Sequence, residues 1–112
     1  MHELSITRNV VALVAERARG RKVTRVTLAI GRLSGIEAEA VRFCFPMVAA
    51  ATPVEGAELV IDQVAGRGAC TACERELELD APVATCPCER RERVKIVAGE
   101  ELLVRSMEVS GV

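Results

Sequence analysis

The stretch Gly66-Arg67-Gly68-Ala69-Cys70-Thr71-Ala72-Cys73, followed after twelve residues by Cys86-Pro87-Cys88, decides how this chain folds. Two close cysteine pairs a dozen residues apart have the spacing of a zinc ribbon. Each pair offers two thiolates from a tight turn, and two facing turns complete a tetrahedron. Residues 66–95 hold four of the five cysteines, begin with two glycines and carry few apolar side chains. Such a segment buries too little surface to offset its own chain entropy, so it needs a staple. A closed four-sulfur site has no open coordination position and is structural rather than catalytic. Disulfides or a redox pair are the other reading of the same residues, and a reducing compartment disfavours them. The second pair is Cys-x-Cys, which leaves fewer backbone N–H groups between its sulfurs. Between the pairs, Leu77 and Leu79 alternate with Glu78 and Asp80, and Glu76 to Val83 is expected to form a short hairpin.

Around this insert the hydrophobic pattern changes period. Leu4, Val11, Val14, Ala15 and Ala18 share one face of a helix over 4–19, with Val10 and Leu13 widening it and Gly20 in the C-cap position. Residues 23–30 alternate as a strand, Val26, Leu28 and Ile30 pointing one way. Ser34 and Glu37 have the spacing of a capping box, so a second helix is expected to start there. Ile36, Ala40, Phe43, Cys44, Met47, Val48 and Ala51 recur along it at helical spacing, and Pro46 is expected to kink or shorten it. Cys44 reads as a small buried hydrophobe. Residues 57–64 and 101–109 complete the pattern as strands, the last with Leu103, Met107 and Val109 on one face. The fold class is α+β, with the cysteine-rich segment inserted before the final strand.

Composition removes several functions. The 112 residues carry 15 basic and 16 acidic side chains, a net charge of −1. That is not the basic excess of a nucleic-acid protein or of a protein docked on an anionic membrane. The run Glu89-Arg90-Arg91-Glu92-Arg93 is the one basic candidate, and its acidic residues dilute it. With no Trp, no Tyr and two Phe, the chain lacks stacking aromatics, and its core must be aliphatic. The longest apolar run, Val10 to Ala15, is far short of the roughly 20 residues of a membrane span. His2 and Glu3 stand where a secretory signal would be basic, so the chain is expected to stay in the cytoplasm. No Ser-His-Asp set or phosphate-binding glycine loop is present, and the reading is not an enzyme. A thiol redox enzyme would need a low-pKa cysteine in an open site, and four clustered cysteines suit a metal better.

The other chemical feature is Met1-His2-Glu3, which contains the single histidine. A residue as large as His at position 2 blocks removal of the initiator methionine, so Met1 is expected to persist. The Met1 amine and the His2 amide close a five-membered chelate ring. The same amide and the imidazole close a six-membered one, and Glu3 supplies a fourth donor. Planar nitrogen donors suit Ni(II) or Cu(II), and this chemistry alone does not choose between them.

The chain resembles the HypA family of hydrogenase nickel-incorporation proteins. The resemblance rests on Met1-His2-Glu3-Leu4-Ser5-Ile6, Leu28-Ala29-Ile30-Gly31, Arg42-Phe43-Cys44-Phe45, Glu55-Gly56-Ala57-Glu58-Leu59, the paired cysteines and Gly99-Glu100-Glu101-Leu102, in that order over the whole chain. It implies nickel, Ni(2+), at Met1, His2 and Glu3, and a structural Zn(2+) at Cys70, Cys73, Cys86 and Cys88. It implies a nickel-binding domain of two helices and a three-stranded sheet, residues 1–65 plus 96–112, with a zinc-binding domain at 66–95. It also implies a metallochaperone role in hydrogenase maturation, with a HypB-type GTPase and the [NiFe]-hydrogenase large subunit as partners and urease as a further client of some members. Two departures stand out: the second cysteine pair is one residue shorter than the family's usual C-P-x-C, and Pro46 lies inside the second helix.

Overall fold

The computed structural model describes residues 2–111. In chain order the elements are α1 (Glu3–Ala18), β1 (Val23–Gly31), α2 (Ala38–Ala49), β2 (Glu58–Val64), β3 (Gly66–Cys70), β4 (Glu76–Leu79), β5 (Val94–Ala98) and β6 (Leu102–Val109). They form two three-stranded sheets, ordered β2-β1-β6 and β4-β3-β5. In the first, β1 is central, parallel to β2 and antiparallel to β6. A parallel neighbour needs a crossover, and α2 supplies it. The second sheet is antiparallel and lies between β2 and β6 in the chain, as the cysteine spacing implied. The molecule is elongated, 58 × 28 × 17 Å.

The core of the first unit is aliphatic. Val10, Val11, Val14 and Ala18 of α1 meet Val26, Leu28 and Ile30 of β1, with Val41, Phe45 and Ala49 of α2 beside them. Thr7 also lies in the core, its hydroxyl donating to the carbonyl of Glu3 at 2.7 Å, whereas Leu4 and Leu13 are exposed. The α2 face differs from the expected one. Phe43 and Met47 are 76% and 61% exposed, and Ala38, Val41, Phe45 and Ala49 turn inward. Both sets recur at helical spacing, so periodicity could not choose between them; packing against α1 and the sheet does. Cys44 is half-buried rather than buried. Pro46 neither ends nor shortens the helix, which runs on to Ala49.

Two local expectations change for identifiable reasons. Ser34 does not cap α2. Its hydroxyl donates to the Gly31 carbonyl at 2.7 Å and accepts the Ile36 N–H at 3.1 Å, so it closes a turn, and the helix starts only at Ala38. On β6, the register slips between the pairs Thr27–Ser106 and Leu28–Val104, leaving Arg105 as the extra residue of a bulge. A bulge reverses which side chains face inward. Val104 therefore packs on the core with Met107 and Val109, and Leu103 is exposed. In the insert, the expected hairpin over 76–83 is replaced by pairing of β4 with β3.

The two sheets meet at a glycine contact. A Cβ on Gly31 would lie 2.0 Å from the Gly99 carbonyl oxygen, and Gly99, at φ +110°, packs against the backbone of Gly66. Side chains are excluded here by backbone, which has no means of yielding.

Burial sets the expected response to substitution. Leu28→Ala, at a fully buried position, should destabilise by about 2–5 kcal/mol. Phe43→Ser should change stability by no more than about 0.5 kcal/mol. Urea unfolding of the two variants measures both, and a large loss for Phe43→Ser would contradict the assigned face of α2.

Candidate metal centres

The four clustered cysteines arrive from two turns. In the first, β3 ends at Cys70, the Cys70 N–H donates to Arg75 O at 3.0 Å and the Glu74 N–H to Cys70 O at 3.0 Å. Glu74 takes a left-handed backbone at φ 61°, which closes the turn, and the Ala72 N–H points to the Cys70 sulfur at 3.4 Å. The second turn is closed over one residue more, and its return bond goes to the second cysteine of the pair rather than the first. Cys86 N–H donates to Glu92 O at 2.9 Å and Arg91 N–H to Cys88 O at 3.1 Å, and Arg91 is left-handed at φ 51°. The short Cys-x-Cys spacing is followed by a longer closing turn, which brings the backbone N–H groups of Arg90 and Arg91 near enough to Cys88 to favour its thiolate. An isolated bridge between Thr85 and Arg93 ties the ends of this turn together.

The four sulfurs lie within 4.8 Å of one another. The Cys70–Cys88 and Cys73–Cys86 sulfur separations are 3.8 and 3.7 Å. With Zn–S bonds of about 2.3 Å, a tetrahedron has edges of about 3.8 Å, so the set fits a zinc ion. A disulfide would need about 2.05 Å, and all five cysteines are free. Cys70 and Cys86 are 2% and 1% exposed, packed with Leu79 and Val94, whereas Cys73 is open to solvent and Cys88 partly so. Among the thiols themselves, burial pushes Cys86 up to about 12, against the N–H of Cys88. Burial also acts on Cys88, but the N–H groups of Arg91 and Arg90 together with the Cys86 and Cys70 thiols bring that thiol down to about 6. Thiolates this close repel one another, and a divalent cation removes the conflict.

The second candidate site is the start of α1. Met1 lies outside the described residues. His2 is the N-cap of α1, is exposed, and makes no side-chain capping bond. Its carbonyl accepts the Ile6 N–H at 3.0 Å, so its backbone is fixed while its imidazole faces solvent. The first N–H groups of a helix have no partner within it, so the amides of His2 and Glu3 can be given to a ligand without unwinding α1. Glu3 is held from the other side: its Oε2 accepts the N–H of Glu37 at 3.0 Å. That bond holds the Glu3 carboxyl below the usual carboxylate value. The Glu37 contact, 34 residues away in sequence, could not be read from the chain, and the apparent capping box pointed elsewhere.

Comparison with known proteins identifies the family. Residues 1–109 match the family described as hydrogenase/urease nickel incorporation, metallochaperone, hypA. The hydrogenase maturation factor HypA of Rippkaea orientalis is 46% identical over 109 residues, covering 97% of this chain and 96% of that one. The factor of the same name from Geobacter sulfurreducens is 47% identical over 109 residues, with 97% and 99% covered. The solution structure of the nickel metallochaperone HypA from Helicobacter pylori superposes with a TM-score of 0.69 at 25% identity, covering 97% of each chain. With two helices, two small sheets and a four-cysteine cluster of this kind, the chain belongs to the HypA family of nickel metallochaperones for hydrogenase and urease nickel incorporation.

Proposed function

We propose that this protein binds Ni(II) as cargo through Met1, His2 and Glu3, and delivers it during maturation of [NiFe]-hydrogenase, with urease as a second client class. The observation that carries the reading is the start of α1. An exposed, uncapped His2 stands beside two helix-terminal amides, and Glu3 is anchored across the fold by Glu37. A terminal amine, amides and an imidazole form a planar nitrogen set suited to Ni(II). The family supports nickel over copper, which the donors alone do not. Exposure suits a carrier, since cargo bound at a chain end is open to transfer.

Cys70, Cys73, Cys86 and Cys88 hold a resident Zn(II) on this reading. The bound ion would neutralise the thiolates and fix the two turns, a structural contribution with no reaction at the metal. The chain divides into residues 1–65 with 96–112, which carry nickel, and 66–95, which carry zinc, with β5 running across the seam. A HypB-type GTPase and the hydrogenase large subunit are the partners this role implies. The work is done in the cytoplasm; among the described residues no helix is long and apolar enough to cross a membrane. The protein carries its metal and transforms no substrate.

The zinc assignment is tested by Cys86→Ser. One zinc per chain should be lost, with rapid amide exchange through β3–β5 and protection retained in α1 and β1. Structural zinc of this kind is worth about 10–16 kcal/mol to comparable peptides, so the effect should be near total. Full zinc content in the variant would refute the four-sulfur site.

The nickel assignment is tested on the untagged protein by calorimetric titration. His2→Ala should lose most of the nickel affinity while its melting temperature stays within a few degrees, because His2 is exposed and makes no side-chain capping bond. A tag fused ahead of Met1 should weaken nickel binding or shift its d–d bands from planar toward octahedral, and a C-terminal tag should do neither. Equal affinities and spectra for the two tagged forms would rule out the Met1 amine.

A further inference from the structure

Between β1 and α2 the chain passes through Gly31-Arg32-Leu33-Ser34-Gly35-Ile36-Glu37. Its first half is tied to the sheets by backbone bonds. The Gly31 N–H donates to Glu101 O at 2.8 Å, Arg32 N–H to Val64 O at 2.8 Å and Leu33 N–H to Gly99 O at 2.7 Å. Its second half is tied by the Ser34 turn, in which the Ser34 N–H and hydroxyl both donate to the Gly31 carbonyl, and by Ile36, which packs on the core of the first unit, before Glu37 reaches Glu3. The Leu33 side chain leaves this segment in the other direction. It packs against the cluster of Cys70, Leu79, Cys86 and Val94, the one hydrophobic side chain from outside the insert and β5 to do so among the described residues. A Cβ on Gly66 would lie 2.8 Å from Leu33 Cδ1 and one on Gly99 3.2 Å from it, so glycines at both positions make the seat that Leu33 fills.

We infer that Leu33 is a positioning residue for the N-terminal nickel site. Seated in the core of the cysteine module, it fixes the loop that presents the Glu37 N–H to Glu3. The inference rests on the nickel reading given above. Backbone bonds hold the loop as far as Ser34; beyond it the path to Glu37 is set from one end by the seated Leu33 side chain and the Ser34 turn, and from the other by Ile36 in the core of the first unit. Glu37 is four residues on, a short lever for any rotation at Leu33. Glu3 follows His2 directly, so its orientation sets where the His2 amide and imidazole converge. Groups that orient a metal's ligands without touching the metal typically alter affinity by about 10- to 100-fold.

The test uses the full-length, zinc-loaded chain with three variants. Leu33→Ala should retain one zinc, show faster amide exchange at Glu37 and bind nickel about tenfold more weakly. Leu33→Met, which refills the seat with a flexible side chain, should restore both readouts, which general destabilisation would not explain. His2→Ala should lose nickel binding while leaving Glu37 exchange unchanged. Two results would overturn the inference alone: Leu33→Ala with parental nickel affinity, or Leu33→Ala with parental Glu37 protection. Parental nickel affinity in His2→Ala would instead remove the nickel site itself, and the role of Leu33 with it.

Discussion

Four sulfur atoms have to gather a segment that buries too little to hold itself together. Cys70 and Cys86 are the most buried side chains of the insert, so two of the clustered sulfurs are also its small core. The two turns that carry them solve one problem twice. Each closes with a backbone bond from a cysteine N–H, a second bond back to a cysteine carbonyl and one left-handed residue, Glu74 or Arg91. Neither residue is glycine, so each turn holds a conformation that side chains disfavour. A staple stronger than local preference is what such turns require.

On the proposed reading the two metals meet opposite demands in one chain. Zinc is to stay, and it has soft thiolates, half of them buried, with backbone N–H groups behind them. Nickel is to leave, and it has nitrogen donors at an exposed chain end. Softness of donor and depth of burial thus separate resident from cargo. The glycine contact among Gly31, Gly66 and Gly99 joins the two regions backbone to backbone, so the separation in chemistry does not mean mechanical independence.

Much of this was legible in the sequence. The cysteine spacing marked the insert, and alternation in Val26, Leu28 and Ile30 marked β1 as a core strand. The α+β order of elements followed from the change of period on either side. What escaped has a common cause: features decided by contacts distant in sequence. The inward face of α2 was ambiguous because the helix is apolar nearly all round, and only its neighbours select Val41 and Phe45 over Phe43 and Met47. Ser34 and Glu37 matched a capping box, yet Ser34 bonds within its own turn and the Glu37 N–H goes to Glu3. The chelating pattern of the first residues was visible, but the anchor that holds Glu3 was not.

The bulge at Arg105 bears on how this molecule keeps company with its own kind. β6 and β2 are the outer strands of an open sheet, each with one row of backbone groups that pairs with no further strand among the described residues. Such a row invites another chain to zip on, the route to fibrous assembly. The irregular spacing at Arg105 spoils the match that an incoming strand would need, and a charged side chain stands at that point, facing Asp62 at 3.7 Å. On the same face Arg25 lies between Glu58 and Glu108, a charged strip that an adhering sheet would have to dehydrate. The residue that turns Val104 inward therefore also makes the border of the sheet a poor match for a further strand.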